Sequence, residues 1–272
     1  CIPSCSGKQC GPDGCGGDCG PCEQGQTCLG NQCAGPCDAA LGVPSNMGCE
    51  FLAVDLDNVY EWGNNGDIFD AQDAQFAVIV SNAATEPAAV TVTLPSGATL
   101  TGEVAPKGSK KFELPPDWGL NDTVKGDYAF HITSSRPVSA YQFNPLSNEA
   151  VFSNDASVLF PVAYLGSEYR IVTLPQLHSD YPGYLTVIGA DEGTVDVDVT
   201  ATTMTYGGVG VPIFTAGDTY SFKLDPGEVL HIETVNPYGD LTGSHVVASG
   251  KVAVFGGHEA ACPCGCQVVD MD

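Results

Sequence analysis

Few stretches of this chain combine residue types and spacing that could carry out a reaction. His178-Ser179-Asp180 holds the three residue types of a hydrolytic triad. Neighbours in an extended segment point to opposite sides, however, and the G-x-S-x-G elbow that would expose a serine is absent. His258-Glu259-Ala-Ala-Cys262 opens like the H-E-x-x-H zinc signature, but Cys stands at the second ligand position and the stretch follows a strand pattern, not a helical one. Read more loosely, His258 with Cys262, Cys264 and Cys266 has tetrahedral zinc ligand types at very tight spacing, against which disulfide pairing is the favoured reading. Cys19-Gly-Pro-Cys22 has C-x2-C spacing without a second such pair nearby, so disulfides are favoured there too. With thirty-three Asp and Glu in the chain, spacing alone cannot single out paired carboxylates.

Hard oxygen ligands are a different matter. Asp55, Asp57, Asn58, Asp67, Asp70 and Asp73 fall in one turn-rich stretch, and calcium takes about six to eight oxygens. These six are the candidate calcium ligands, and calcium is the cofactor they would take. Their spacing does not match an EF-hand, and a solvated acidic loop is the plainer reading. His131, His231 and His245 sit on or beside strand patterns and are read as hydrogen-bonded structural residues. Trp62 and Trp118 lie in Gly/Asn- or Pro-rich loops, where they either contact a ligand or cap a sandwich end. Asn121-Asp-Thr123 is a formal glycosylation sequon of little weight.

The elements that must position these residues follow from composition. Nine Lys and Arg stand against thirty-three acids, giving a formal charge of -24. Such a surface repels nucleic acid and anionic lipid, and attracts divalent cations and basic protein patches. Thirteen cysteines imply an oxidising compartment, so the chain is expected at the cell surface or outside the cell. No apolar run approaches the roughly 20 residues of a transmembrane helix. No leader is visible before Cys1, and the chain reads as a mature product or fragment.

Residues 1–37 hold nine cysteines and nine glycines, with only Ile2 and Leu29 as large aliphatics. No apolar core forms from these, so cross-links must replace it. From Cys49 to Cys262 there is no cysteine, and Val90-Thr-Val-Thr-Leu94, Val195-Asp-Val-Asp-Val199 and Tyr220-Ser-Phe-Lys-Leu224 alternate with the period of half-buried strands. Three segment pairs repeat in order: Phe76–Asn82 with Tyr184–Ala190, Phe112–Leu114 with Phe222–Leu224, and Arg136–Tyr141 with Gly250–Phe255. Their offsets are 108, 110 and 114 residues. A unit of about 110 residues matches one β-sandwich. The expectation is an all-β chain of two tandem or face-packed β-sandwich halves, 38–147 and 148–262, preceded by a knotted module at 1–37 and followed by an acidic tail at 263–272. Phe76, Phe112, Phe130, Tyr141, Tyr184, Phe222 and Phe255 are its expected core aromatics.

Cys49-Glu-Phe-Leu-Ala-Val-Asp-Leu-Asp-Asn58, Asp73-Ala-Gln-Phe-Ala-Val-Ile-Val-Ser-Asn82, Tyr141-Gln-Phe-Asn-Pro-Leu146, Phe152-Ser-Asn-Asp-Ala-Ser157 and Phe255-Gly-Gly-His-Glu259 occur in this order. Together they resemble the IgGFc-binding protein N-terminal domain family, from about residue 48 to about 262. The resemblance implies non-catalytic extracellular binding and carries no Fc-contact residue over to this chain. Residues 1–33 look like the Cys/Gly-rich repeats of bacterial surface proteins, which implies a bacterial exported relative. The expected function is a binding or adhesion module for an extracellular protein or glycan; the alternative is a filament or coat subunit that joins to copies of itself through cysteine-rich ends. Cys1, Cys5, Cys10, Cys15, Cys19, Cys22, Cys28 and Cys33 form an even set, so Cys1 is expected to pair within it, with lipid modification of Cys1 as the rival. One of Cys262, Cys264 and Cys266 is expected to bridge back to Cys37 or Cys49, closing the β region from end to start.

Overall fold

The computed structural model describes residues 1–40, 44–62, 68–149, 151, 154–176 and 181–260. In the amino-terminal module only Cys10 among the apolar residues is buried, and four disulfides stand in for a core: Cys1–Cys15, Cys5–Cys19, Cys10–Cys28 and Cys22–Cys33. Its only regular structure is the hairpin of β1 (Thr27–Leu29) and β2 (Gln32–Ala34). The Asp13 carboxylate accepts hydrogen bonds from the backbone of Cys15 and Gly17 at 2.7 and 2.9 Å, shaping the turn between the first two bridges. The short helix α1 (Pro36–Ala40) then sets Cys37 against Cys49 of β3 (Met47–Ala53), and these two are bonded to each other. The expected bridge from the carboxyl-terminal cysteines to Cys37 or Cys49 is therefore corrected. A twelve-residue separation closes at far lower entropic cost than one of about two hundred. Cys262, Cys264 and Cys266 themselves lie outside the described residues.

The first sandwich is built around one long strand. After β3 come the small hairpin β4 (Tyr60–Trp62) and β5 (Ile68–Asp70), then β6 (Ala77–Ser81), β7 (Ala88–Thr93), β8 (Thr99–Val104), β9 (Ser109–Glu113), β10 (Val124–Asp127), β11 (Phe130–Asn144) and β12 (Asp155–Leu159). Through His131 to Ser134, β11 pairs with β7; through Ser139 to Phe143 it pairs with β6. Its register against β3 shifts between Thr133 and Val138, at a bend that contains Pro137, which has no N–H to give a ladder. The strand thus serves two arms, β8-β7-β11 and β9-β6-β11-β12. Val90, Val92 and Val104 of one arm and Val78, Val80 and Phe112 of the other share a core with Phe51, Phe76 and Phe130.

The second sandwich comprises β13 (Glu168–Arg170), β14 (Gly183–Gly189), β15 (Val195–Thr200), β16 (Thr219–Leu224), β17 (Glu228–Glu233), β18 (His245–Ala248) and β19 (Val252–His258). Its sheets run β13-β18-β15-β16 and β10-β17-β14-β19, over a core that includes Leu185, Val197, Phe214, Phe222 and Ile232. Registers correspond between the halves: Thr93 opposite His131 matches Thr200 opposite His245, and Val80 opposite Ala140 matches Ile188 opposite Ala253. What is one bent strand in the first half is two strands, β18 and β19, in the second. One expected motif pair is corrected. Phe222 lies on β16, which pairs with β15, whereas Phe112 lies on β9, which pairs with β6 as β17 pairs with β14. The counterpart of β9 is β17.

The halves are packed face to face and share edge strands. β10, encoded in the first half, adds to the second half's sheet beside β17, while β12, encoded beyond residue 148, adds to the first half's sheet beside β11. Leu52 and Val54 from one side and Ile188, Val229 and Ala253 from the other form a third apolar cluster between them. β14 is accordingly buried at every residue, with both faces covered.

Candidate functional site: a buried carboxylate and histidine cluster

Successive residues of a strand face opposite ways, so Val229, His231 and Glu233 share the face of β17 that looks toward the first half. Val229 joins the apolar cluster between the halves; His231 and Glu233 stand beside it. Across the ladder His231 faces Thr186, and Glu233 faces Tyr184. The first half contributes Asp57, from the extended segment that follows β3. Asp57, His231 and Glu233 retain 3%, 0% and 3% of their surface. His231 Nε2 lies 3.3 Å from Glu233 Oε1 and 3.8 Å from Asp57 Oδ2, and all three atoms are buried without a hydrogen-bond partner. The other imidazole nitrogen, Nδ1, is 2.7 Å from Thr186 Oγ1. The backbone N–H of Glu233 donates to Thr123 Oγ1 at 3.0 Å, tying β17 to the first half at the same point. The Tyr184 ring packs on His231 with centroids 5.0 Å apart.

Burial dominates the electrostatics here. It pushes the Glu233 carboxyl up to about 7, against the pull of His231. It disfavours the His231 imidazolium, yet the facing carboxylates of Asp57 and Glu233 together outweigh it and hold the pKa of His231 above its ordinary value. Burial, reinforced by nearby carboxylates with Asp57 first among them, raises Tyr184. Two carboxylates and one imidazole turned toward a common point suit the sharing of a proton or the holding of a cation. A polar cavity of about 260 Å³, lined by Asp57, Asn58, Gln142, Asn144, Tyr184 and His258 among others, opens onto the Asp57 side.

Five of the six expected calcium ligands, Asp55, Asp57, Asn58, Asp70 and Asp73, lie among the described residues. Asp57 turns inward to the cluster. Asp55 is buried, its carboxyl raised by desolvation and then by Asp57 and Asp73, and its carbonyl accepts from Leu120 N–H at 2.9 Å. Asn58 Oδ1 accepts from the N–H of Val59, its Nδ2 reaches Asn144, and Asp70 Oδ1 caps the N–H of Asp73. Asp67 lies outside the described residues, as do His178, Ser179, Asp180 and the side chain of Trp62. Trp118 packs edge-on against Phe130 at 6.2 Å, closing the end of the first core. His131 and His245, at equivalent strand positions, bond Glu50 at 2.7 Å and Glu168 at 2.9 Å. Tyr184, an expected core aromatic, is buried, and its ring packs on His231. The sulfurs of Cys10, Cys22 and Cys33 also lie within ligand distance of one another, but each belongs to a disulfide and none is a thiolate. His231 and Glu233 were not singled out together by sequence. The available signal was Val229-Leu-His-Ile-Glu233, where polar residues alternate with apolar ones on a strand buried on both faces.

On the outer surface of the second half, Met204, Tyr206, Val209 and Ile213 of the segment between β15 and β16 are exposed. Beside them Asn236 Nδ2 contacts the Met204 sulfur at 3.5 Å, and Tyr238, two residues on, is 79% exposed with φ of 66°. A bulky residue in left-handed backbone is uncommon, and such conformations concentrate at binding sites.

Two face-packed β-sandwiches joined to a disulfide knot define a stapled, all-β module, and among the described residues no helix is long and apolar enough to cross a membrane. Residues 155–271 match the family described as IgGFc binding protein. The human IgGFc-binding protein is 30% identical over 135 residues, 49% of this chain and 2% of that protein's length. Among solved structures, the cryo-EM atomic structure of Broad Bean Stain Virus overlaps 81% of this chain and 92% of its own at 8% identity; the TM-score of 0.16 is too low to indicate a common fold.

Proposed function

We propose that this chain is a non-catalytic, extracellular protein-binding module. The observation that carries the reading is the family match over residues 155–271, the segment that holds the exposed Met204, Tyr206, Ile213 and Tyr238 surface. Five disulfides fit an oxidising compartment. A binding role is also favoured over catalysis by the sealing of His231 between the halves, where no macromolecular substrate reaches it. Aromatic residues and Met are enriched in protein interfaces, and an exposed Tyr in fixed backbone offers contact area at low entropic cost. The acidic surface selects partners with basic patches.

The test is an array of extracellular proteins and glycans, with an immunoglobulin G Fc fragment among the probes, challenged with the intact chain. Protein binding that Tyr238→Ala weakens at least tenfold, with the thermal midpoint unchanged, is the expected result. Binding to glycans alone, or protein binding indifferent to Tyr238, defeats the reading.

A further inference from the structure

We propose that Asp57, His231 and Glu233 form a binding site for one divalent transition-metal ion of the zinc type, which clasps the two sandwiches together. The inference is independent of any external partner.

Three features of the cluster converge on a cation. The ligand atoms are three of the four buried side-chain atoms that lack a hydrogen-bond partner among the described residues, all three on side chains at least nine-tenths buried, and all lie within 4.8 Å of one another. Zinc bonds of about 2.0–2.2 Å to N and O in tetrahedral geometry place ligand atoms about 3.3–3.6 Å apart. The spacings of 3.3 Å from Glu233 and 3.8 Å from Asp57 to His231 Nε2 bracket that range. Finally, the contact between His231 Nδ1 and Thr186 fixes the ring, and with the proton on Nδ1 it leaves the Nε2 lone pair aimed at the two carboxylates, the outer-shell arrangement of a metal-bound histidine.

A proton is the alternative occupant, and it serves the site less well. An imidazolium presents a single Nε2–H, which satisfies one carboxylate oxygen and leaves the other buried without a partner. With a single proton and both carboxyls ionised, the trio keeps a net negative charge in an apolar interface, whereas a divalent ion neutralises both carboxylates and accepts all three lone pairs. The imidazole nitrogen argues against calcium and magnesium, which take oxygen ligands. The cavity on the Asp57 side provides an entry path and room for water in the remaining coordination position.

The experiment uses the whole disulfide-bonded chain with free thiols alkylated, so that cysteines of the tail do not compete. After stripping with a chelator, zinc is titrated against a competing indicator and bound metal is counted by mass spectrometry; cobalt substitution reports the ligand types. The expected result is one ion per chain and a cobalt spectrum without sulfur-to-metal charge-transfer bands. Asp57→Asn and Glu233→Gln should abolish binding or weaken it more than tenfold. Thr186→Val, a milder change that leaves all three ligands in place, should weaken it about 10- to 100-fold. A folded wild-type chain that binds no zinc overturns the proposal and leaves the proton as occupant. Zinc binding indifferent to these variants, or a thiolate signature with cobalt, overturns it equally. The wild-type measurements decide the matter even if a ligand variant fails to fold.

Discussion

Asp240 shows how a single side chain is tuned by its neighbours. Burial pushes its carboxyl up, but hydrogen bonds from Thr242, through side chain and backbone, and from Thr173 outweigh it, and the net pKa lies below the ordinary value. Thr173 Oγ1 in turn accepts from the N–H of Leu241, so the network pins the turn before β18 to the segment after β13. A depressed carboxyl pKa stabilises the fold above the ordinary value of about 3.9 and ceases to do so as pH falls through the lowered one. Asp240→Asn should therefore lower the thermal midpoint at neutral pH, with the gap from wild type closing in strong acid; a gap that stays constant with pH would disprove the linkage. None of this is visible in the sequence, since Asp240 is one acid among thirty-three. His231 and Glu233 were obscured for another reason: their significance depends on Asp57, which is remote along the chain and meets them only because the sandwiches pack face to face.

Strands announce themselves better than sites do. Val195 to Val199 alternate apolar and acidic residues, and β15 alternates buried and exposed in step. The same period misassigned one repeat: β9 and β16 both bury the Phe of a Phe-x-Leu pattern, and period-2 alternation does not say which neighbour a strand will take. Pairing partner is settled by tertiary contacts such as those of the segment at Gly208. There the chain crosses close over β10: Val209 bridges Val124, the Lys125 N–H donates to the Val209 carbonyl at 2.9 Å, and a Cβ at position 208 would come within 1.6 Å of the Thr123 carbonyl oxygen. Only glycine allows that approach. Gly208→Ala should destabilise the protein by about 1–3 kcal/mol through overpacking, read by denaturant unfolding. A midpoint unchanged from wild type would mean that this segment does not hold β10 in place.

At the scale of the whole molecule the exchanged edge strands and the shared apolar cluster should make the two halves fold as one unit. The correspondence of β6 with β14 was legible in the sequence, and the exchange of edge strands was not, because a cut at 147/148 falls between segments that are each well formed locally. Fragments 38–147 and 148–262 each lack an edge strand, and the second also loses Asp57. Neither should give a stable monomer, whereas the two expressed together should recover a single cooperative transition by calorimetry. Independent melting of either fragment at the temperature of the intact chain would show that the exchange is dispensable.

The exchange also imposes an order of events. During synthesis or export, Val124–Asp127 emerges roughly a hundred residues ahead of its partner Glu228–Glu233, and an unpaired edge in that interval invites association with other chains. The waiting strand reads Val-Lys-Gly-Asp, short and charged at two of its four positions, which makes it a poor template for aggregation. When β17 arrives, Lys125 pairs with Glu228. The charge that protects the nascent chain thus becomes part of the lock on the finished one.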